Sequence, residues 1–200
     1  MLNSRALSEL LSRNSDARLC KRWLLMTPNG TLLAYSQPAD PKDLRKQAAM
    51  AAISWQQQHT ALHEHSFVAD DNTNASSKIR ELCTLTIESD TSNTIVRQVQ
   101  PHLLLVLHGG VPPRKRTFEP RITAEGPGGE YYSLNEIKTP ASGLQTSAST
   151  VSFAASTKST AAASILEMQR KKLDAMASAI TAEFHRTGFQ MPDESSNKFF

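Results

Sequence analysis

The chain has 200 residues, 39% of them hydrophobic and only 6% aromatic, too few large apolar groups to pack a core along the whole length. One domain joined to disordered sequence is the organisation expected. The net charge of +3 and the pI near 9.0 are mild, and the basic residues are scattered apart from Arg114-Lys115-Arg116. Nucleic-acid binding would need a concentrated basic face with interleaved aromatics, so it is not expected.

In chain order, Ala6, Leu7, Leu10 and Leu11 fall on one helical stripe, and Asn3 or Ser4 can cap a first helix that runs to about Arg13. Trp23-Leu24-Leu25-Met26 and Leu32-Leu33-Ala34-Tyr35 flank Thr27-Pro28-Asn29-Gly30, which predicts two strands and a tight turn. Pro28 presets its φ, and Gly30 supplies a positive one. The first strand lacks apolar–polar alternation, so it should be interior to its sheet and covered on both faces. Asp40-Pro41 opens a second helix reaching about Thr60, with Leu44, Ala48, Ala51, Trp55 and Leu62 on a sheet-facing stripe. Ala49, Ala52 and Ile53 form another arc. Its small side chains suit a close helix approach, although alanine needs no partner to explain it.

Residues 63–77 read as a polar loop. Alternation from Ile79 to Ile87 gives a third strand, with Leu82, Thr84 and Thr86 on one face and Cys83, Leu85 and Ile87 on the other. Fourth and fifth strands follow at Thr94 to Val99 and His102 to Leu107, the fifth apolar throughout from Leu103 and so interior. Residues 109–158 are rich in Pro, Gly, Ser, Thr and Ala without a period of either kind, which predicts a disordered insertion. A last helix begins near Ser159, its stripe being Ile165, Leu166, Leu173, Met176, Ile180 and Phe184, and Gly188 lies just past its end. Residues 187–200 read as a flexible tail.

No catalytic constellation stands out. His59 and His63 share a helix face with His65 nearby, but Thr60 follows His59 where a zincin would have Glu, and solvent-exposed histidines are the simpler reading. No strand is expected to lead into Gly126-Pro127-Gly128-Gly129, and it lacks the Gly-Lys-Ser/Thr of a phosphate loop. Cys20 and Cys83 are far apart in sequence and suit a reducing compartment as small buried groups. Asn74-Ala75-Ser76 fits a glycosylation acceptor, and Arg114-Lys115-Arg116 a short solvated basic run. There is no secretory signal pattern or bilayer-length apolar run, and Leu2 argues against N-myristoylation, so membrane contact should be indirect.

The order helix, two strands, helix, three strands, helix resembles the roadblock family. Met1-Leu2, Arg5-Ala6-Leu7, Leu10-Leu11-Ser12, Leu24-Leu25 and above all Asn29-Gly30-Thr31-Leu32-Leu33-Ala34-Tyr35-Ser36 look like the roadblock subunits of Ragulator complexes. Ala48 to Trp55 and Leu103-Leu104-Leu105 are similar too. The resemblance covers roughly residues 1–108 and, more loosely, 159–186, as a single domain. It implies an α+β, profilin-like fold of order α-β-β-α-β-β-β-α, with a five-stranded antiparallel sheet and helices on both faces. It also implies dimerisation with a second roadblock protein through the second helix and third strand, the paired third strands making one continuous sheet. By carry-over the interface residues are Ala49, Ala52, Ile53 and Gln56, with Leu82, Thr84 and Thr86.

The same resemblance implies no enzyme activity, cofactor or metal. It implies a lipidated anchor subunit and Rag-type small GTPases as partners in TOR and MAP kinase signalling, on the cytosolic face of the late endosome, lysosome or vacuole. Guanyl-nucleotide exchange would belong to the assembly. The rival expectations are a dynein light chain of roadblock type, distinguished by co-purifying dynein intermediate chain, and a small metal-dependent enzyme built on the three histidines, distinguished by bound metal.

Overall fold

The computed structural model describes residues 2–66, 81–112, 118–132 and 160–192. Helix α1 (Ser4–Arg13) starts where Asn3 Oδ1 accepts the Ala6 N–H at 3.0 Å. Strands β1 (Arg22–Met26) and β2 (Leu32–Tyr35) form the expected hairpin. In its turn Gly30 has φ +88° and its N–H donates to the Thr27 carbonyl at 2.9 Å, a conformation a Cβ would disfavour. Helix α2 (Pro41–Ser66) is capped by Asp40, whose Oδ1 accepts the Lys42 N–H at 2.9 Å. Then come β3 (Thr84–Glu88), β4 (Ser92–Gln100), β5 (Leu103–Gly110), β6 (Arg121–Glu125), β7 (Tyr131–Tyr132) and α3 (Thr160–Thr187).

The strands make one antiparallel sheet in the order β2-β1-β5-β4-β3-β6-β7. Side chains alternate across it, so each strand feeds two cores. On one face Trp23, Leu25, Ile95, Leu103, Leu105 and Leu107 pack with Leu7 and Leu11 of α1 and with Leu173, Ile180 and Phe184 of α3. On the other, Leu24, Met26, Leu85, Val96, Leu104 and Val106 pack under Leu44, Ala48, Ala51 and Trp55 of α2. Double coverage explains the unbroken apolar runs of β1 and β5, both interior strands.

The α+β architecture and the order of the eight expected elements agree with the sequence reading, but the sheet has seven strands, not five. The two additional strands come from 109–158, where disorder is the expectation. Arg121–Glu125 finds its ladder on β3, a non-local partner that no periodicity within the segment reveals, and Tyr131–Tyr132 pairs in turn with β6. α2 runs six residues beyond Thr60. β3 begins at Thr84, and Leu82, placed by alternation with Thr84 and Thr86, instead joins the α2-side core. Within the expected tail, Gly188 (φ +63°) closes α3: its N–H donates to the His185 carbonyl at 3.3 Å and the Phe189 N–H to Phe184 at 2.9 Å, with the two phenyl rings 4.9 Å apart. This is a Schellman stop with its apolar contact. Gln100 then holds the next residues through the Phe189 carbonyl and the Met191 N–H. The expected polar loop after Ser66, the basic run at 114–116, and residues 133–159 and 193–200 lie outside the described residues.

A buried polar network ties α3 to the sheet. The Asn93 amide donates to Gln169 Oε1 at 2.8 Å, and Gln169 Nε2 donates to the Leu19 and Gly110 carbonyls at 2.9 and 3.0 Å. Asn93 and Gln169 are both wholly buried. The close approach needs Gly109, where a Cβ would collide with the Gln169 side chain and the Leu19 carbonyl.

Candidate functional site

The residues expected to form a partner surface separate into two groups. Ala49, Ile53 and Gln56 lie on the solvent side of α2, where Met50 joins them; Met50 and Ile53 are 60% and 52% exposed. They make an outward apolar arc on a helix whose opposite stripe already fills the core. Ala52 turns inward and is buried beside Gly30, and Gln56 Nε2 donates to the Pro28 carbonyl at 3.2 Å, so the β1–β2 turn braces this flank of α2.

Leu82, Thr84 and Thr86 are buried within the chain. Pairing of third strands between two partners, as the resemblance implies, needs an open β3 edge, and in this chain that edge is occupied. Along its entire length β3 pairs with β6, with Thr84 opposite Glu125, Thr86 opposite Thr123 and Glu88 opposite Arg121. Arg170, reaching down from α3, fastens the join. Its Nη2 donates to Thr86 Oγ1 at 2.9 Å and forms a close ion pair with Glu125, and its Nη1 reaches the Tyr131 hydroxyl at 3.5 Å. Neither side chain of the ion pair is more than a quarter exposed. One cation thus touches β3, β6 and β7 together. The sequence carried no sign of this clamp, because Arg170 lies 45 residues from Glu125.

The opposite sheet edge is covered as well. The Tyr35 and Gln37 N–H groups donate to Ser8 Oγ at 3.3 Å and Ser12 Oγ at 2.8 Å, so α1 caps β2 with two hydroxyls. Capped edges do not recruit further strands.

The His59 and His63 rings lie 4.4 Å apart between centroids with their planes tilted by 55°, and their Nε2 atoms are 3.3 Å apart. Burial, and then the neighbouring His63, hold His59 below the usual imidazole range. Among the described residues no three His, Cys, Asp or Glu side chains converge as metal ligands. His65 lies where side chains are not described. Cys20 is buried and Cys83 half-buried, both as free thiols, and burial pushes the Cys20 thiol up. No described helix is long and apolar enough to cross a membrane.

Fold and surface together define an α+β sandwich whose distinctive features are an apolar helix arc and a clamped sheet edge. No protein-family description matches the chain, and no curated protein matches it. Among solved structures it is similar to a Roadblock/LC7 domain from Streptomyces avermitilis, at 15% identity over 52% of this chain and 76% of that one, with a TM-score of 0.40. It is also similar to the gliding protein MglB from Thermus thermophilus (18% identity, 54% of this chain and 70% of that one, TM-score 0.35) and to MglB in a tetrameric arrangement (19%, 54% and 70%, TM-score 0.32).

Proposed function

We propose that this chain is a non-enzymatic adaptor of the roadblock type that dimerises with a second roadblock-fold protein. Within a Ragulator-like complex it helps to anchor and activate Rag-type small GTPases for TOR and MAP kinase signalling on the cytosolic face of the late endosome, lysosome or vacuole. A lipidated companion subunit supplies the membrane attachment. The observation that carries the dimer reading is the outward arc of α2: Met50 and Ile53 are large apolar groups left half or more exposed beside Ala49, on a helix whose core stripe is already satisfied. Burying such an arc against a partner helix contributes about 25 cal/mol per Å² of apolar surface, and the small residue beside it permits close approach. The particular assembly is supported by the resemblance of the β1–β2 hairpin sequence, Asn29 to Ser36, to the roadblock subunits of Ragulator.

The test is affinity purification of the tagged full chain from its own cells, wild type beside Ile53→Glu, with partners identified by mass spectrometry. Recovery of another roadblock protein and Rag-type GTPases by the wild type, lost in the variant, is the expected result. Recovery of dynein intermediate chain instead, or of no partner, would overturn the assignment.

A further inference from the structure

We propose that the β6–β7 hairpin is a tethered cover for the β3 edge, occupying in cis the place that a partner's strand would take, so that sheet-continuing association is governed by its release. The inference rests on the dimer reading above and adds its regulation.

The hairpin matches its site closely enough to exclude a competitor. β6 pairs with all five residues of β3, Ala124 is fully buried in the α2-side core opposite Leu85, and Arg170 closes the join through Glu125, Thr86 and Tyr131. Yet its hold is peripheral. Ala124 is the one fully buried residue of β6 and β7, while Ile122 and Tyr131 remain 44% and 67% exposed; in β1, by contrast, four of five residues are buried. An element with so little burial belongs to the low-stability end of a fold, where local opening occurs first.

The connection also leaves room for opening. From β5 to β6 the chain must cross β4 and β3, three strand spacings or about 14 Å. Residues 111–120 intervene, and ten residues can reach about 33 Å. β6 can therefore leave β3 without pulling β5 from the sheet. Because the hairpin is covalently attached, its effective concentration at β3 is on the order of millimolar. A free partner strand at micromolar concentration starts about a thousand-fold behind, which keeps the edge closed until the clamp is weakened or a partner adds contacts elsewhere, as on the α2 arc. β7, only two residues long, is a poor template for further strands.

The experiment uses the full chain, with a second copy of it as the probe, combining sedimentation velocity over a concentration series with hydrogen exchange. Ala124→Glu places a charge in the buried position and releases the hairpin. Ile87→Cys with Ile122→Cys, opposed in the register, locks it when oxidised in a Cys83→Ser background. Protection should be lost at 121–125 in Ala124→Glu, self-association should tighten about ten-fold or more, and β3 amides should stay protected in the associated species. Arg170→Ala should show a smaller gain in the same direction. The oxidised lock should abolish association, and reduction should restore wild-type behaviour. Persistent protection of β6 in Ala124→Glu would show the hairpin to be an integral strand and overturn the proposal, as would loss of protection without tighter association. Adding Ile53→Glu to the released chain separates the two readings: a gain that survives it supports the hairpin cover and removes the α2 arc from the interface.

Discussion

At the scale of single residues, the sharpest consequences come from polar groups that the core has enclosed. Gln169 satisfies Asn93 and two carbonyls at once, all out of water. Gln169→Ala strips those partners and should cost about 3 kcal/mol, read as a lower urea midpoint. His108 faces Thr94 Oγ1 at 3.1 Å on one side and the Lys21 and Arg22 cations on another; burial first, and then those two charges, hold its imidazole below the usual range. The fold therefore prefers neutral His108, while the unfolded chain protonates it near pH 6.5. More protons are bound by the unfolded state as pH falls through that value, so stability is complete above it and declines below. Urea midpoints between pH 7.5 and 5 should decline less steeply in His108→Gln than in the wild type.

At the scale of elements, each terminus and face makes a separate claim. α3 stops because Gly188 adopts a left-handed conformation, and a Cβ added there would meet nothing within 4 Å. Gly188→Ala should therefore cost about 1 kcal/mol through backbone strain alone, visible as a lower Tm with unchanged association. The outward arc of α2 predicts the reverse pattern. Ile53→Glu alters an exposed position and should change stability by no more than about 0.5 kcal/mol, yet it should remove the partner from a pull-down. A variant that lost both would show Ile53 to be structural instead of an interface residue.

For the whole molecule, the decisive feature is that one set of strands serves two cores. Leu25 and Leu105 point to the α1/α3 side, while Leu24 and Leu104 point to the α2 side. Neither layer can lose its sheet without exposing the other, so both should unfold in one cooperative transition. Each layer carries its own reporter: Trp23 is buried on the α1/α3 side and Trp55 under α2. In Trp23→Phe and Trp55→Phe, the remaining tryptophan's fluorescence should give a midpoint coincident with that of far-UV circular dichroism. Separated midpoints would mean that the layers are independent.

Local chemistry was enough to read most of this architecture from the sequence. Asp40-Pro41 marks a helix start, Pro28-Asn29-Gly30 a turn, Gly188 a helix stop, and the unbroken runs at Trp23 to Met26 and Leu103 to Leu107 mark strands covered on both faces, because caps, turn conformations and side-chain period act within a few residues. The outward arc of α2 was legible for the same reason, through Ala49 and Ile53. Tertiary structure alone decided what depends on distant partners. The pairing of β6 with β3, the reach of Arg170 to Glu125, the burial of Gln169 and the enclosure of Thr84 and Thr86 each join segments separated by tens of residues. A short, weakly apolar strand such as Arg121–Glu125 gains its conformation from the ladder it completes. Its own sequence holds too little apolar surface to offset the entropy of ordering it.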